Sequence, residues 1–181
     1  MDEMKRLTVI RHAKSSWADQ HTGDRYRTLS DRGTRDAPRM FARLQKHLAA
    51  PELIVSSDAT RAAATAALFV RALESGSATL TLEPALYLAS AREILEVVRL
   101  QDDRFVHIAL VGHNPGFTEL VNRLAADLRL DNLPTCGIVS MEFEANSWSD
   151  VSAGTGRLLY VDYPKNPQGP VIGAAPSDPA P

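Results

Sequence analysis

The sequence predicts an α/β protein in which helices cover both faces of a mainly parallel sheet, giving three layers. Short apolar runs rich in β-branched residues alternate with segments of helical periodicity, a pattern typical of parallel α/β sheets. The chain of 181 residues is long enough for one domain with a sizeable core and too short to favour two. We therefore expect a single domain over residues 1–163.

Six segments have the length and composition of buried strands. They are rich in valine, isoleucine and leucine and are bounded by polar or turn-forming residues. The predicted strands are 7–10, 52–57, 79–83, 104–112, 137–144 and 157–163. A polar stretch separates the last two, which predicts a hairpin or an added pair at the edge of the sheet.

Helix signals fill the segments between these strands. Residues 34–49 place apolar side chains on one helical face, with Pro38 expected near the helix start, where proline is tolerated. Residues 59–74 are dense in alanine and leucine, which favour helix. Ser90 to Glu93 have the sequence of a capping box that opens a helix reaching Leu100.

The charge balance gives no reason to expect a nucleic-acid or membrane partner. The chain has 20 basic and 22 acidic residues, a formal net charge of −2. The single Cys136 excludes an intrachain disulfide framework and a cysteine-rich metal site. The N-terminus lacks the pattern of a secretory signal or a membrane span, so we expect a cytoplasmic protein. The sequence does not determine the oligomeric state, and a monomer is favoured.

The composition changes at Pro164. Residues 164–181 hold six of the eleven prolines and few residues that can pack against a core. Such a composition predicts a disordered tail.

Cationic and imidazole side chains follow three of the predicted strands. Arg11 and His12 end the first strand, Arg61 lies in the first turn of the helix after the second, and His113 follows the fourth. Ligands bind at the carboxyl ends of the strands in open α/β sheets, so these side chains are expected to converge. Guanidinium groups and helix N-termini together suit a tetrahedral dianion such as phosphate. Each feature is common alone, and their joint placement carries the prediction.

Six motifs in one order resemble the histidine phosphatase superfamily, in its branch of small SixA-type phosphohistidine phosphatases. They are "VIRHAKSSW", "LSDRGTRDAPRM", "LIVSSDATRAAATA", "LYLAS", "LVGHNPGFTEL" and "LPTCGIVSMEF", and the resemblance spans residues 7–163. It implies a phosphoglycerate mutase-like fold. It also implies a catalytic set of Arg11, His12, Arg61 and His113.

The resemblance implies a phosphatase in which His12 is the nucleophile and becomes a phosphohistidine that water hydrolyses. A neutral imidazole, with an ordinary pKa of roughly 6.5, is a competent nucleophile at neutral pH. Positive charge around phosphorus is the main further requirement, so neither a metal nor another cofactor is expected. Lys14 and Asn114 are candidate additional substrate contacts, although both residue types are common in turns and on surfaces.

The leaving group distinguishes two classes of substrate. An alkoxide needs a proton from an acid, whereas the imidazole of a phosphohistidine needs much less help. Glu83, at the end of the third predicted strand, is the nearest candidate acid by topology, and Asp19 and Asp24 are others. A solvent-facing carboxylate is an equally good interpretation of Glu83. The expected partner is therefore a phosphorylated protein or a small phosphate ester.

Two positions depart from the family pattern. Ala13 stands where the family usually has glycine after Arg-His, which brings into question any backbone geometry that needs glycine. Asp58 stands where relatives often have proline, and it can cap the following helix or place a negative charge near the phosphate pocket.

Alternatives to the phosphohistidine phosphatase remain open. One is a phosphomonoesterase or phosphoglycerate-mutase-like enzyme acting on a small metabolite. Another is a phosphate-recognition module without turnover, suggested by Ala13 and Asp58. A zinc hydrolase is weaker, because no HExxH-type pair is present. Packing within the fold is the expected role of His107, Trp17 and Trp148, although the tryptophans are also candidates for a pocket mouth.

Overall fold

A central β-sheet organises the computed structural model, which describes residues 4–18, 21–73 and 78–173. The strands of this part of the chain are β1 (Met4–Arg11), β2 (Leu53–Ser56), β3 (Thr79–Leu82), β4 (His107–Gly112), β5 (Ile138–Glu144), β6 (Arg157–Asp162) and β7 (Val171–Ile172). They form a seven-stranded sheet in the order β3-β2-β4-β1-β5-β6-β7.

The sheet has a parallel half and an antiparallel half. Strands β3, β2, β4 and β1 run parallel, whereas β5, β6 and β7 continue the sheet in antiparallel pairs. All six predicted strands are confirmed, and β5 and β6 form the predicted antiparallel pair. The expectation of a tail without structure is wrong for Val171 and Ile172, because β7 pairs with β6. Residues 174–181 of the predicted tail lie outside the described residues.

Helices cover both faces of the sheet, as predicted. They are α1 (Asp31–Gln45), α2 (Thr60–Ala72), α3 (Ala91–Arg99) and α4 (Gly116–Leu124). One core cluster joins the sheet to α3 and α4, and the other joins the opposite face to α1 and α2. The structure is therefore a three-layer α/β fold. No helix in the described ranges is long and apolar enough to cross a membrane.

The helix starts follow local capping signals. Ser90 and Glu93 form the predicted capping box at the start of α3. Helix α1 begins earlier than predicted, because the Ser30 side chain accepts a hydrogen bond from the Gly33 N–H and caps the helix there. Pro38 consequently lies inside the helix and not near its start.

Strand register brings the predicted site residues to one edge of the sheet. Arg11 of β1 pairs with Gly112 of β4, and Ser56 of β2 pairs with Val111. Since these three strands are parallel, their carboxyl ends coincide. His12, Ser57 and His113 each follow one of these ends directly.

Candidate active site

A cavity of about 240 Å³ opens at the carboxyl edge of the sheet. It brings together the four predicted catalytic residues and both Lys14 and Asn114. Its lining consists of Arg11, His12, Lys14, Ser15, Trp17, Arg27, Arg61, Leu88, His113, Asn114 and Thr135. The convergence predicted from the strand ends is therefore present in the fold.

The hydrogen bonds of His12 define its tautomer. The side chain is buried, with 7% of its surface exposed. Its Nδ1 lies 2.8 Å from the Ala13 carbonyl oxygen, which only accepts, so Nδ1 is the donor. Its Nε2 lies 3.2 Å from Nε of Arg61, which only donates, so Nε2 is the acceptor. The ring therefore carries its proton on Nδ1 and has a lone pair on Nε2.

Burial and neighbouring charge keep His12 neutral. Burial lowers its pKa most, and His113, Arg61 and Arg11 lower it further, to about 3, although the bond to the Ala13 carbonyl opposes the shift. At neutral pH the lone pair on Nε2 is consequently free of a proton, as a nucleophile requires.

Arg61 lies in the first turn of α2 and uses its whole guanidinium group. Besides the contact with His12, its Nη1 donates to the Asp24 carbonyl oxygen at 2.5 Å and its Nη2 to the Asp24 carboxylate at 2.9 Å. The side chain is buried, with 3% of the residue exposed. Asp24 thus occupies guanidinium donors that could otherwise hold phosphate oxygens.

Asp24 is an ionised acceptor in this arrangement. Its carboxylate also accepts hydrogen bonds from Tyr87 Oη at 2.7 Å and from Arg27 Nη1 at 2.8 Å. Burial by itself raises its pKa, but the bonds from Tyr87, Arg61 and Arg27 outweigh burial and lower the pKa to about 2. A carboxyl group with so low a pKa is a poor proton donor at neutral pH. Asp19, the other loop candidate, lies outside the described residues.

His113 faces His12 across the site. The two ring centroids are 5.2 Å apart, and the Tyr87 ring meets His113 edge-on at 5.5 Å. Nε2 of His113 is hydrogen-bonded to Ser57 Oγ at 2.8 Å, while its buried Nδ1 has no partner. Burial and then the charge of Arg61 lower the pKa of His113 to about 4.

Arg11 and Asn114 share contacts at the opposite wall. Nη1 of Arg11 and Nδ2 of Asn114 both donate to the Leu133 carbonyl oxygen, at 2.8 and 3.0 Å. Asn114 Oδ1 also accepts from the Thr118 backbone N–H, so its amide has a structural task beside the cavity. Nε of Arg11 is buried without a partner and is an unused donor. Burial lowers the pKa of Arg11, but a guanidinium remains charged.

Glu83 has a different position from the other predicted residues. It is absent from the cavity lining, and its carboxylate accepts a hydrogen bond from the Ala85 N–H at 2.9 Å. That bond caps the short 3₁₀ turn Pro84–Leu86. A role for Glu83 as a proton donor stays a prediction without support from this geometry.

The two departures from the family pattern are accommodated locally. Ala13 is buried, its N–H donates to Thr65 Oγ1 at 3.0 Å, and it is not among the described residues with positive φ, so its backbone does not need glycine. The expectation that Asp58 caps α2 is wrong, because Ala59 occupies the N-cap position. Both oxygens of Asp58 instead accept from Nη2 of Arg25 at 2.6 Å, which neutralises the charge locally.

Sequence reasoning missed several residues of the site. Arg27, Tyr87 and Ser57 each contact a predicted site residue or Asp24, and Trp17, for which packing was the stronger expectation, lines the cavity. Trp148, by contrast, is fully buried as expected. The motif "LYLAS" was the available signal for Tyr87. Within the described ranges no three His, Cys, Asp or Glu side chains are grouped so as to hold a metal ion.

Comparison with known proteins identifies the family. Residues 7–87 match the sequence profile of the histidine phosphatase superfamily (branch 1). An uncharacterized chloroplastic protein of Arabidopsis thaliana is 30% identical over 161 residues, which cover 84% of this chain and 72% of the relative. An uncharacterized protein of Mycobacterium tuberculosis is 30% identical over 166 residues, which cover 86% of this chain and all of the relative.

Solved structures extend the comparison to the fold. A protein assigned as the phosphohistidine phosphatase SixA from Agrobacterium tumefaciens is 25% identical, with a TM-score of 0.73 over 88% of this chain and 98% of that one. Phosphoglycerate mutase from Bacillus anthracis has a TM-score of 0.60 at 15% identity, over 84% of this chain and 93% of that one. The chain therefore belongs to the histidine phosphatase superfamily and has a phosphoglycerate mutase-like fold. It is a phosphatase.

Proposed function

We propose that the protein hydrolyses phosphohistidine on a phosphorylated protein, through a covalent phosphohistidine at His12. The observation that carries the proposal is the tautomer of His12. Its proton lies on Nδ1 and its Nε2 lone pair is at a cavity lined by Arg11 and Arg61. A nucleophilic nitrogen between two guanidinium groups suits transfer of a phosphoryl group.

In the first step Nε2 of His12 attacks phosphorus in line with the leaving group. The N–P bond of the substrate breaks as the new N–P bond forms, and the departing imidazole takes a proton from solvent. The imidazole of His12 becomes positively charged, and its Nδ1–H donates to the Ala13 carbonyl oxygen, which stabilises that charge. Water then attacks phosphorus, inorganic phosphate leaves, and the Nε2 lone pair is restored.

Arg11 and Arg61 supply positive charge for the equatorial oxygens of the phosphoryl group. Nε of Arg11 is an unused donor, whereas Arg61 has to exchange its contacts with Asp24 for phosphate oxygens. His113 is the proposed third donor, because its ring lies 5.2 Å from that of His12. Such preorganised donors are worth on the order of 10²–10³ in rate when one is removed.

The carboxylates near the site favour an easily displaced leaving group. Asp24 is ionised by its hydrogen bonds, and the Glu83 carboxylate is held at the Ala85 N–H. Without a placed acid an alkoxide leaves slowly, whereas the imidazole of a phosphohistidine is a better leaving group. The similarity at 25% identity to a protein assigned as SixA supports the same substrate class.

The test compares phosphate release from a phosphohistidine protein and from an alkyl phosphate, with excess chelator, for wild type and His12→Ala. We expect wild type to prefer phosphohistidine and to be labelled covalently, and His12→Ala to lose both turnover and label. His47→Ala is the matched control, since His47 is exposed and is absent from the cavity lining. Turnover retained by His12→Ala would exclude the mechanism.

A phosphomonoesterase acting on a small metabolite is the second candidate. The exposed Lys14 on the cavity wall favours it, because a second anionic group of a small molecule can contact this cation. If it holds, Lys14→Met raises KM for alkyl phosphates that carry a second anionic group and spares phosphohistidine. Equal effects on both substrates count against it.

The two observations that suggested a recognition module without turnover no longer support it. Ala13 adopts a backbone open to any residue, and Arg25 pairs with Asp58. Steady turnover in the same assay removes this alternative. The cytoplasmic location and the monomeric state stay predictions.

A further inference from the structure

Two large apolar side chains, here called the apolar mouth, border the opening of the cavity beside the exposed Lys14, although the floor of the cavity is cationic. The nucleophile and Arg61 are 7% and 3% exposed, whereas two large apolar residues of the lining, Trp17 and Leu88, are 68% and 57% exposed. Large exposed apolar side chains that border a cavity mark contact surfaces for ligands. The two residues come from separate segments of the chain, so the apolar mouth is assembled by the fold.

Trp17 is exposed and yet held in place. The guanidinium carbon of Arg27 lies 3.4 Å from the centroid of the indole ring, in a cation–π contact. Arg27 is itself fixed, because Nη1 donates to Asp24 at 2.8 Å, Nε donates to the Ser16 carbonyl oxygen at 3.3 Å, and Nη2 donates to Ser15 Oγ. The indole therefore presents a defined aromatic surface at the mouth of the cavity.

Leu88 has an unusual backbone conformation for its side chain. Its φ is 51°, in the left-handed region that is unfavourable for residues with a β-carbon. Residues in such conformations cluster at active sites and ligand contacts, where the surrounding structure maintains them. The neighbouring Tyr87 is fixed by its hydrogen bond to Asp24, which anchors the segment that holds Leu88 beside the cavity.

We propose that Trp17 and Leu88 contact the leaving group of the substrate and select planar aromatic leaving groups such as the imidazole ring of a phosphohistidine. With the phosphoryl group at the cationic floor, the leaving group has to extend toward the mouth. A flat ring can stack on the indole and pack against Leu88. A polyol in the same place loses water from its hydroxyl groups without gaining hydrogen bonds.

The kinetic test rests on the proposed function, because it uses turnover at the same cavity. We would measure kcat/KM for phosphoimidazole and for glycerol phosphate, with wild type, Trp17→Ala, Trp17→Phe and Leu88→Asn. Asparagine tolerates positive φ, so the last variant removes the apolar group and keeps the backbone. Leu100→Ala is the matched control, since Leu100 is 84% exposed and does not line the cavity.

We expect Trp17→Ala and Leu88→Asn to lower kcat/KM for phosphoimidazole about three- to tenfold, mainly through KM, and to affect glycerol phosphate much less. Trp17→Phe should recover most of the loss, because it restores a flat ring. An equal loss on both substrates, or a loss that phenylalanine does not recover, overturns the proposal. A loss of the same size in Leu100→Ala has the same consequence.

A binding experiment separates this proposal from the proposed function. Calorimetry would compare phenylphosphonate with methylphosphonate, which carry the same anionic group and cannot be hydrolysed. We expect wild type to bind phenylphosphonate more tightly, by about three- to tenfold, and Trp17→Ala to lose that preference. If this holds without turnover of any substrate, the proposed function fails and the apolar mouth stands. Turnover with no preference that depends on Trp17 overturns the role of the apolar mouth and leaves the proposed function in place.

Discussion

Two histidines at opposite ends of strand β4 share burial and a hydroxyl partner but differ in their position on the sheet. His107 begins β4, and His113 follows its last residue. Both are buried, at 5% and 3% exposure, and both have Nε2 at 2.8 Å from a hydroxyl oxygen, of Thr8 and of Ser57. Both lack a hydrogen bond of good geometry at Nδ1, and burial is the main cause that lowers their pKa values to about 3 and about 4.

The two rings have different neighbours. His113 faces His12 and Arg61 at the carboxyl edge, where parallel strands end together. His107 lies at the amino end of β4 and bonds to Thr8, which donates to Ser140 within the sheet. Burial and then the charge of Arg6 lower its pKa, so a perturbed pKa also occurs at a residue that does not line the cavity of the candidate active site. The position on the sheet therefore distinguishes His113 as the candidate functional histidine, and the pKa shift alone does not.

The largest expected difference concerns turnover. We expect His113→Ala to lower kcat for phosphohistidine on the order of 10²–10³-fold, because a donor beside the phosphoryl group is lost. The urea stability should fall as well, because the buried ring and its bond to Ser57 are lost, so kcat is compared on fully folded protein. Steady-state kinetics beside His47→Ala provide the check. Full activity in His113→Ala would place it with His107 as a structural histidine.

Substitution of His107 should lower the stability of the fold and leave turnover almost unchanged. His107→Ala leaves a void and removes the partner of the Thr8 hydroxyl, so we expect a loss of about 2–3 kcal/mol in the free energy of unfolding. The kcat of the molecules that remain folded should change less than threefold or so, because the ring is remote from the cavity lining. Urea unfolding and kinetics on the same samples measure the two quantities. A well-folded His107→Ala protein without turnover would break the comparison.

The stability of the fold should decrease with acid because of both histidines. Each has a folded pKa below its unfolded value of about 6.5, so the neutral ring is favoured in the folded state. The stabilisation is fully present above the unfolded pKa and is lost as pH falls from about 6.5 toward the folded values. Each ring contributes up to about 1.4 kcal/mol per pH unit in that window. His107→Gln should flatten the fall in urea stability between pH 6.5 and 4, and an unaltered slope would contradict this assignment.

Substitution of Asp24 should produce the smallest change, a modest gain in affinity for phosphate. The negative charge of its carboxylate raises the pKa of His113, but burial and Arg61 lower that pKa by more. Asp24 is not among the groups that shift the pKa of His107. Asp24→Asn removes one negative charge and keeps an oxygen acceptor. We expect it to bind phosphate or tungstate about threefold more tightly, a gain near the size of one screened charge interaction. Calorimetry with Asp127→Asn as an exposed control would show it, and weaker binding would indicate that Asp24 mainly positions Arg61.

The main elements of the fold and the four central site residues were accessible from sequence because their signals are local. Apolar runs predicted the six longer strands, and the residue pair or turn after each of three strands predicted Arg11, His12, Arg61 and His113. Parallel strands have a common carboxyl edge, so this local information was enough to place the side chains together. The capping box at Ser90 is local in the same way.

Contacts made by loop residues with distant segments could not be predicted from the sequence. Asp24 meets Arg61 and Tyr87 across separations of 37 and 63 residues, and no periodicity encodes such pairings. For Glu83 the sequence left a candidate acid and a solvent-facing carboxylate as equal interpretations, and the structure shows its carboxylate capping the turn that follows it. Strand β7 was missed because two residues in a proline-rich segment carry no strand signal of their own and depend on pairing with β6.

In the proposed mechanism, the contact between Asp24 and Arg61 makes anion binding an exchange of contacts. The guanidinium of Arg61 already donates to a carboxylate oxygen and a carbonyl oxygen of Asp24. A phosphate therefore has to displace these acceptors before it can accept the same hydrogen bonds. The free energy measured for phosphate is then a difference between two sets of contacts. When the phosphate leaves, Asp24 can bind Arg61 again. The buried guanidinium then regains hydrogen-bond acceptors without being solvated by water.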